Sequence, residues 1–513
     1  MGKYILAHDL GTSGNKATLY DFEGKLKSSV VFAYNTLYTG PNCVEQNPED
    51  WWKAVCISTR QLIEKAAINK NDIACITFSA QMMGCLFVDK KGEPLGNSII
   101  WADTRAVKQE RFMQSVLDMG EAYKITGHRI SASYSAAKML WIKDNSSGIY
   151  NRAYKVLHAK DYIIFKLTGN MVTDYSDASG MNLFDINSKE WSEGIINALG
   201  LDRSILPDAH PSTDIAGVVS PKAASEIELV SGIPVVIGGG DGSCAAVGAG
   251  VVEEGKAYNV VGSSSWIALA TDKPIYDDKM RTFNWVHLDP KLYSPCGTMQ
   301  SAGYSYNWLK NTLCDMEVME AGQKGVNPYS IIDNKVLNSP PGANSLLFLP
   351  YLLGERSPRW NPDAKGAFVG LTMTSTKEDI LRSVLEGVGY NLRVILEIFN
   401  SYSAVNEVTV IGGGAKGRVW LQILADIWQK PVIIPEYMEE ATSMGAAVCG
   451  GIGIGVFSDF KIINKLNRVK NQIRPREEYS EVYSRLFEVF NETYRVLEPV
   501  YSMLPVMKKA TGK

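Results

Sequence analysis

Asp241 stands where a carboxylate can act as a proton acceptor. It ends the stretch Val235-Val236-Ile237-Gly238-Gly239-Gly240-Asp241, and small residues continue from Gly242 to Gly250. The apolar run suits a buried strand, and the glycines let backbone or ligand come close. An acid at the carboxyl end of such a strand faces the edge where open α/β sheets hold their ligands. Taken alone, the stretch reads more readily as a strand-to-helix turn with Asp241 capping the helix. The rest of the chain shifts that balance.

Near the N-terminus, Asp9-Leu10-Gly11-Thr12-Ser13-Gly14-Asn15-Lys16 separates two apolar runs, Lys3 to Asp9 and Ala17 to Tyr20. A third strand is expected from Leu26 to Tyr34. The first hairpin therefore carries glycine and hydroxyls at its tip. Its backbone N–H groups, with Thr12, Ser13 and the nearby Lys16, can meet a phosphate, or the tip is a plain glycine hairpin. Asp9 at the strand end could hold Mg²⁺ through water. The pattern restarts at Lys256 to Val261, then Gly262-Ser263-Ser264-Ser265-Trp266, then Ile267 to Ala270. This weak internal repeat predicts two related halves, 1–250 and 251–513, facing one cleft.

Other stretches are open to two readings. Trp101-Ala102-Asp103-Thr104-Arg105 ends a strand over 98–101 and could line a polyol pocket, or Asp103 and Arg105 are a loop ion pair. Lys160-Asp161 and Thr173 to Gly180 form a second polar cluster that completes the N-terminal half. Gly412-x-Gly414-x-x-Gly417 follows a strand, with Glu436 about twenty residues on, as a dinucleotide fingerprint requires. It sustains an alternative, an NAD-dependent oxidoreductase. Gly250 to Ala257 nearly matches a phosphate-binding P-loop but lacks its Ser/Thr and carries two glutamates, which excludes it.

The elements that must position these residues follow from capping and periodicity. Asn47-Pro48 opens a helix to about Ala66. Strands are expected over 72–79, 407–411 and 431–435, with a long helix from Glu378 to about Phe399. A helix to about Gln429 follows the Gly412 turn. A small-residue helix begins at Glu440-Ala441 and must pack closely against something. A terminal helix spans Ser480 to Met503, and the tail Lys508 to Lys513 is expected to fray.

The composition is that of an ordinary globular protein, with 45% hydrophobic and 21% charged residues. A net charge of −3 gives no reason to expect nucleic acid or an anionic membrane surface. No apolar run is long enough to span a bilayer, and the charged start Met1 to Asp9 does not read as a secretory signal. Eight scattered cysteines without a C-x-x-C pair suit reduced thiols in the cytoplasm. Five histidines without H-x-x-x-H spacing argue against zinc.

Taken together, the chain resembles the FGGY family of carbohydrate kinases over nearly its whole length. Two long signatures carry the resemblance. One is Ser133-Tyr134-Ser135-Ala136-Ala137-Lys138-Met139-Leu140-Trp141-Ile142-Lys143-Asp144-Asn145. The other is Gly366-Ala367-Phe368-Val369-Gly370-Leu371, a spacer over 372–378, then Asp379-Ile380-Leu381-Arg382-Ser383-Val384-Leu385-Glu386. Pro350-Tyr351-Leu352-Leu353-Gly354-Glu355-Arg356-Ser357-Pro358, Gln81-Met82-Met83-Gly84 and Ile100-Trp101-Ala102-Asp103 are similar to its xylulokinase branch.

The resemblance implies an α/β fold of two actin-like, hexokinase-like (ribonuclease H-like) domains flanking a catalytic cleft. It implies ATP and Mg²⁺, with a sugar as the small-molecule substrate and a homodimer as the assembly. By the same resemblance Asp241 is the general base and Asp9 positions metal and phosphate, so both are metal candidates. Thr12, Ser13 and Lys16 form the first phosphate tip, and Gly262 and Ser263 the second. Gly413, Gly414 and Arg418 bind nucleotide, while Met82, Met83 and Trp101 meet the sugar. The match departs at Met83, where xylulokinases carry histidine. A thioether donates no hydrogen bond, which shifts acceptor preference within ketopentoses and related polyols. A non-catalytic actin-like ATP-binding protein is a further alternative.

Overall fold

The computed structural model describes residues 2–504, so the expected fraying of Lys508 to Lys513 lies outside the described residues. The chain forms two compact units. The first takes residues up to Glu254, then Leu269–Pro295 and Glu439–Arg468; the second takes Gly255–Ala268, Cys296–Met438 and the chain from Val469 onward. Two segments of the C-terminal half, 269–295 and 439–468, thus pack with the N-terminal half.

In the first unit, strands β1 (Tyr4–Leu10), β2 (Gly14–Asp21) and β3 (Leu26–Ala33) form an antiparallel meander. Strand β4 (Ile73–Ala80) lies parallel to β1 on its other side. Strands β5 (Ile215–Val218) and β6 (Pro234–Val236) continue the sheet in the order β5-β6-β4-β1-β2-β3. A two-residue strand, β7 (Gly239–Gly240), also pairs with β4. The register sets Ser79 of β4 opposite Asp9 of β1 on one side and Gly239 of β7 on the other. Two stretches far apart in sequence therefore end at one sheet edge.

The second unit repeats the first four strands of this order. Strands β8 (Lys256–Val261), β9 (Ser265–Leu269), β10 (Tyr293–Met299), β11 (Glu407–Ile411), β12 (Val432–Pro435) and β13 (Val469–Ile473) are arranged β10-β9-β8-β11-β12-β13. Strand β11 is parallel to β8 and to β12, while β9 and β10 are antiparallel. In both units the labelled strands run third, second, first, fourth across the sheet; beyond that the first unit continues β6-β5 and the second β12-β13. The internal repeat of glycine-hydroxyl tips thus has a counterpart in topology.

Helices cover these sheets by ordinary capping and burial. The helix Pro48–Ala66 starts on Asn47, whose side chain accepts from Glu49 N–H, and stops at Ala67 in left-handed backbone with φ 50°. It buries Trp51, Trp52, Val55 and Leu62 in the core of the first unit. The helix Lys377–Asn400 opens with a capping box between Thr376 and Asp379. No described helix is long and apolar enough to cross a membrane.

The small residues after Asp241 have a packing cause. The helix Asp241–Gly248 meets the helix Ala441–Gly453 backbone to backbone. A Cβ added to Gly248 would lie 1.7 Å from the Ala441 carbonyl oxygen, and one on Gly445 would lie 1.9 Å from that of Cys244. This contact draws 439–468 into the first unit and braces the helix that begins at Asp241. Gly445→Ala should therefore destabilise the protein by roughly 3 kcal/mol or more in denaturant unfolding, because backbone cannot yield as a side chain does. Gly148→Ala, whose added methyl meets nothing within 4 Å, should be neutral or slightly stabilising. Equal effects at the two sites would contradict the close approach.

Candidate active site

Asp241 is the first residue of its helix, and its Oδ1 accepts from Gly242 N–H at 2.8 Å. The capping position itself belongs to Gly240. Asp9 lies in β1 and accepts from Ser79 Oγ at 2.9 Å. Each carboxylate keeps some exposure, yet protein surrounds it closely. Burial pushes Asp241 up to about 7, and the charge of Asp9 adds to the rise. Burial also raises Asp9, while the Ser79 hydrogen bond and the Lys16 charge pull it back. The two acids thus share one poorly hydrated sheet edge.

Around them the first hairpin tip is tied to its neighbours. Trp101 Nε1 donates to Thr12 Oγ1 at 2.9 Å, and Gln46 Nε2 donates to the Thr12 carbonyl at 2.6 Å. Ser13 is exposed at the tip. Lys16 Nζ donates to the Glu439 carbonyl at 2.8 Å. Arg105 pairs with Asp103 and Glu45, each at 2.7 Å, so these two residues of the Trp101 loop form the loop ion pair.

Met82 and Met83 are both buried. Met82 lies on Gly240, where a Cβ would come within 2.4 Å of its sulfur. The Met82 turn and the Asp241 turn are therefore in contact. Met83 has φ 61°, an uncommon conformation for a residue with a side chain. Its carbonyl is held by Lys138 Nζ at 2.8 Å. The same ammonium donates to the Ile100 carbonyl at 2.8 Å and the Ser133 carbonyl at 2.7 Å, which clamps three loops together. Gly180 leaves room between Met83 and Trp285. Sequence reasoning assigned no role to Lys138, Ser79 or Trp285. A lysine among Ala136, Ala137, Met139 and Leu140, all buried, was the available signal for the first.

In the second unit, Gly262, Ser263, Gly413 and Gly414 line one cavity of about 630 Å³. That volume suits a small-molecule ligand. A Cβ on Gly414 would lie 2.3 Å from Val261 Cγ1, so this glycine lets the turn after β11 close on the end of β8. Tyr306, Tyr329 and Trp420 add an aromatic wall, with Tyr306 edge-on to Tyr329 at 4.7 Å and to Trp420 at 5.6 Å. Tyr306 Oη donates to Asp333 at 2.6 Å. Lys416 and Gly417 come from the glycine turn into this wall; Arg418 begins the helix Arg418–Trp428 and is not part of it. The aromatic residues were not foreseen, because they come from three helices spread over more than a hundred residues.

Two mixed sheets that share the order third, second, first, fourth, each with a glycine-hydroxyl tip between its first two strands, define the actin-like, hexokinase-like fold class. Residues 4–248 match the model of the N-terminal domain of the FGGY family of carbohydrate kinases, and residues 257–454 match its C-terminal domain. The chain belongs to this family. It is 32% identical to a xylulose kinase of Bacillus subtilis (strain 168), over 99% of this chain and 100% of that protein. It is 30% identical to a gluconokinase of the same strain over 98% of each. A crystal structure of ligand-bound xylulose kinase from Lactobacillus acidophilus superposes with a TM-score of 0.91 at 26% identity, covering 98% of this chain and 99% of that one.

The oxidoreductase alternative is not supported. Its fingerprint turn follows β11, not the first strand β8, in a sheet that contains antiparallel pairs. A dinucleotide fingerprint belongs to the first strand of a parallel sheet. The non-catalytic alternative is likewise unsupported by kinase relatives that match end to end.

The raised Asp241 carboxyl has a consequence for stability. A group whose folded pKa lies above its unfolded value stabilises the fold at low pH, and that contribution is lost as pH rises through about 7. Asp241→Asn removes the loss. In metal-free buffer the variant should gain roughly 2 kcal/mol on the parent between pH 5 and pH 8 in denaturant unfolding. Parallel pH curves would contradict the raised value.

Proposed function

We propose that this protein is an ATP-dependent kinase that phosphorylates a terminal hydroxyl of a neutral ketopentose or related polyol, with Asp241 as general base. The observation that carries the reading is the Asp241 carboxyl, raised to about 7 beside Asp9 and in contact range of the Met82 turn through Gly240. A base with that value is well matched to proton transfer at neutral pH. The acceptor is taken to bind against Met82, Met83 and Trp101. Asp241 accepts its hydroxyl proton as the new O–P bond forms, the bond from the γ-phosphorus to the β-phosphate oxygen breaks, and ADP leaves.

The 630 Å³ cavity supports a nucleotide site in the second unit, with Gly413 and Gly414 near phosphate and the aromatic wall near the base. Gly262 and Ser263, and in the first unit Thr12, Ser13 and Lys16, are proposed to contact phosphate oxygens. Two acids both raised by burial, with the charge of Asp9 raising Asp241 further, suit a hard divalent cation with oxygen ligands. Asp9 and Asp241 would hold Mg²⁺, which supplies charge neutralisation for the phosphate oxygens. Eight cysteines joined by no disulfide among the described residues, seven of them buried, support a reducing, cytoplasmic setting.

A neutral acceptor is favoured over an aldonate such as gluconate. Lys138, which contacts the Met83 turn, spends three N–H bonds on backbone carbonyls and has none for an acceptor carboxylate. Met83 itself is apolar. A coupled assay of ADP release tests both parts. D-xylulose, D-ribulose or xylitol should drive ADP release with kcat/KM at least about 10-fold above that of D-gluconate. Asp241→Asn should lower turnover on the best acceptor by roughly 1,000-fold while nucleotide binding persists. Gluconate as the best acceptor would overturn the neutral-acceptor reading, and near-normal turnover of the variant would overturn the base.

A further inference from the structure

Between the Met82–Gly84 turn and the Gly239–Asp241 turn runs a continuous series of buried polar side chains. At one end Ser135 Oγ donates to the Gly84 carbonyl at 2.7 Å, and His158 Nε2 lies 3.2 Å from the same hydroxyl. His158 Nδ1 is 3.1 Å from Asp177. Lys160 Nζ then joins Asp177 to Asp174, each at 2.9 Å, and also pairs with Asp161 at 2.6 Å. Ser176 Oγ donates to Asp174 at 2.5 Å and accepts from Gly240 N–H at 2.9 Å. Ser212 Oγ donates to the same Asp174 oxygen at 2.8 Å. Every side chain in the series is 2% exposed or less.

The donor directions are set at both ends of the series. Ser135 gives its proton to Gly84, so His158 is the donor to Ser135. Burial alone would depress His158, but the Asp177 carboxylate overrides it and holds the imidazole above its usual value. Its Nδ1 faces the Asp177 carboxylate at ion-pair distance, 3.1 Å. His158, Asp161 and Asp177 lie close enough to ligate an ion, yet the Lys160 ammonium already occupies the place between these carboxylates. The cluster is therefore a filled charge network and no metal site. What distinguishes it from a core ion cluster is where it ends, on backbone groups of the two turns that carry Met83 and Asp241.

We propose that this network positions the acceptor turn against the base turn, with Ser135 and Ser176 as its terminal positioning residues. None of its side chains need touch substrate. Removing Ser176 Oγ leaves the Gly240 N–H without its acceptor in a buried place, and the turn must move to find another. A displacement of about 1 Å at the reacting groups can cost roughly 100-fold in rate. This inference rests on Asp241 being the base.

The test compares Ser176→Ala, Ser135→Ala, the double variant and Asp241→Asn in the full chain, with kcat expressed per folded molecule. Each serine variant should lose about 10- to 100-fold in acceptor phosphorylation, with KM for ATP within about twofold of the parent. The double variant should lose clearly less than the product of the single losses, because both cut one series. If Asp241→Asn is inactive but Ser176→Ala turns over within twofold of the parent, or the losses multiply, the network claim is overturned and the base stands. A lowered Tm with unchanged kcat per folded molecule, the mark of a merely structural role, overturns it too. If Asp241→Asn is active, both claims fall.

Discussion

Two like-charged carboxylates, Asp9 and Asp241, are held at one sheet edge with little water to separate their charges. Such an arrangement is unfavourable unless the surroundings are rigid, because either acid would otherwise turn toward solvent. The first unit supplies the rigidity. Ser79 stands between β1 and β7 and donates to Asp9. Gly240 admits Met82, and the helix that starts at Asp241 is pinned backbone to backbone against the helix Ala441–Gly453. The buried Lys160 network holds Gly240 from behind. Strained or costly local features of this kind concentrate where chemistry is done.

The second unit shows what the same topology becomes without the acids. Its first strand ends Val260-Val261-Gly262-Ser263 where the other ends Asp9-Leu10-Gly11-Thr12, so Val260 takes the place of Asp9. The glycine-hydroxyl tip is kept and the carboxylate is not. In exchange, helices beyond the sheet contribute Tyr306, Tyr329 and Trp420 around a cavity. One scaffold thus carries a paired-acid edge in one copy and an aromatic-walled recess in the other. That division underlies the proposal that acceptor chemistry belongs to the first unit and nucleotide binding to the second.

Much of this was legible in the sequence, for identifiable reasons. Strands such as Glu407–Ile411 and Lys256–Val261, and the capped helix from Pro48 to Ala66, stand out because turn chemistry and periodicity agree. The two tips were found by composition alone. The acids were visible, but the effect of Asp9 on Asp241 was not, since it depends on the register of β4 against both β1 and β7. The run of small residues from Gly242 to Gly250 was plain in the sequence, but its close contact with the helix Ala441–Gly453, two hundred residues away, was not. Lys138 lay inside a quoted signature with no role, because its partners are backbone carbonyls, which no side-chain pattern reveals. The aromatic wall escaped for a similar reason, being assembled from separate helices.

The central claim is that burial and Asp9 together raise Asp241. Carboxyl ¹³C chemical shifts of aspartate-labelled, metal-free protein measure this directly. A resonance absent from Asp241→Asn should titrate near 7 in the parent and at lower pH in Asp9→Asn, where the neighbouring charge is gone. A resonance of Asp241 that titrates near 4 in the parent, or is unmoved by Asp9→Asn, would contradict the account.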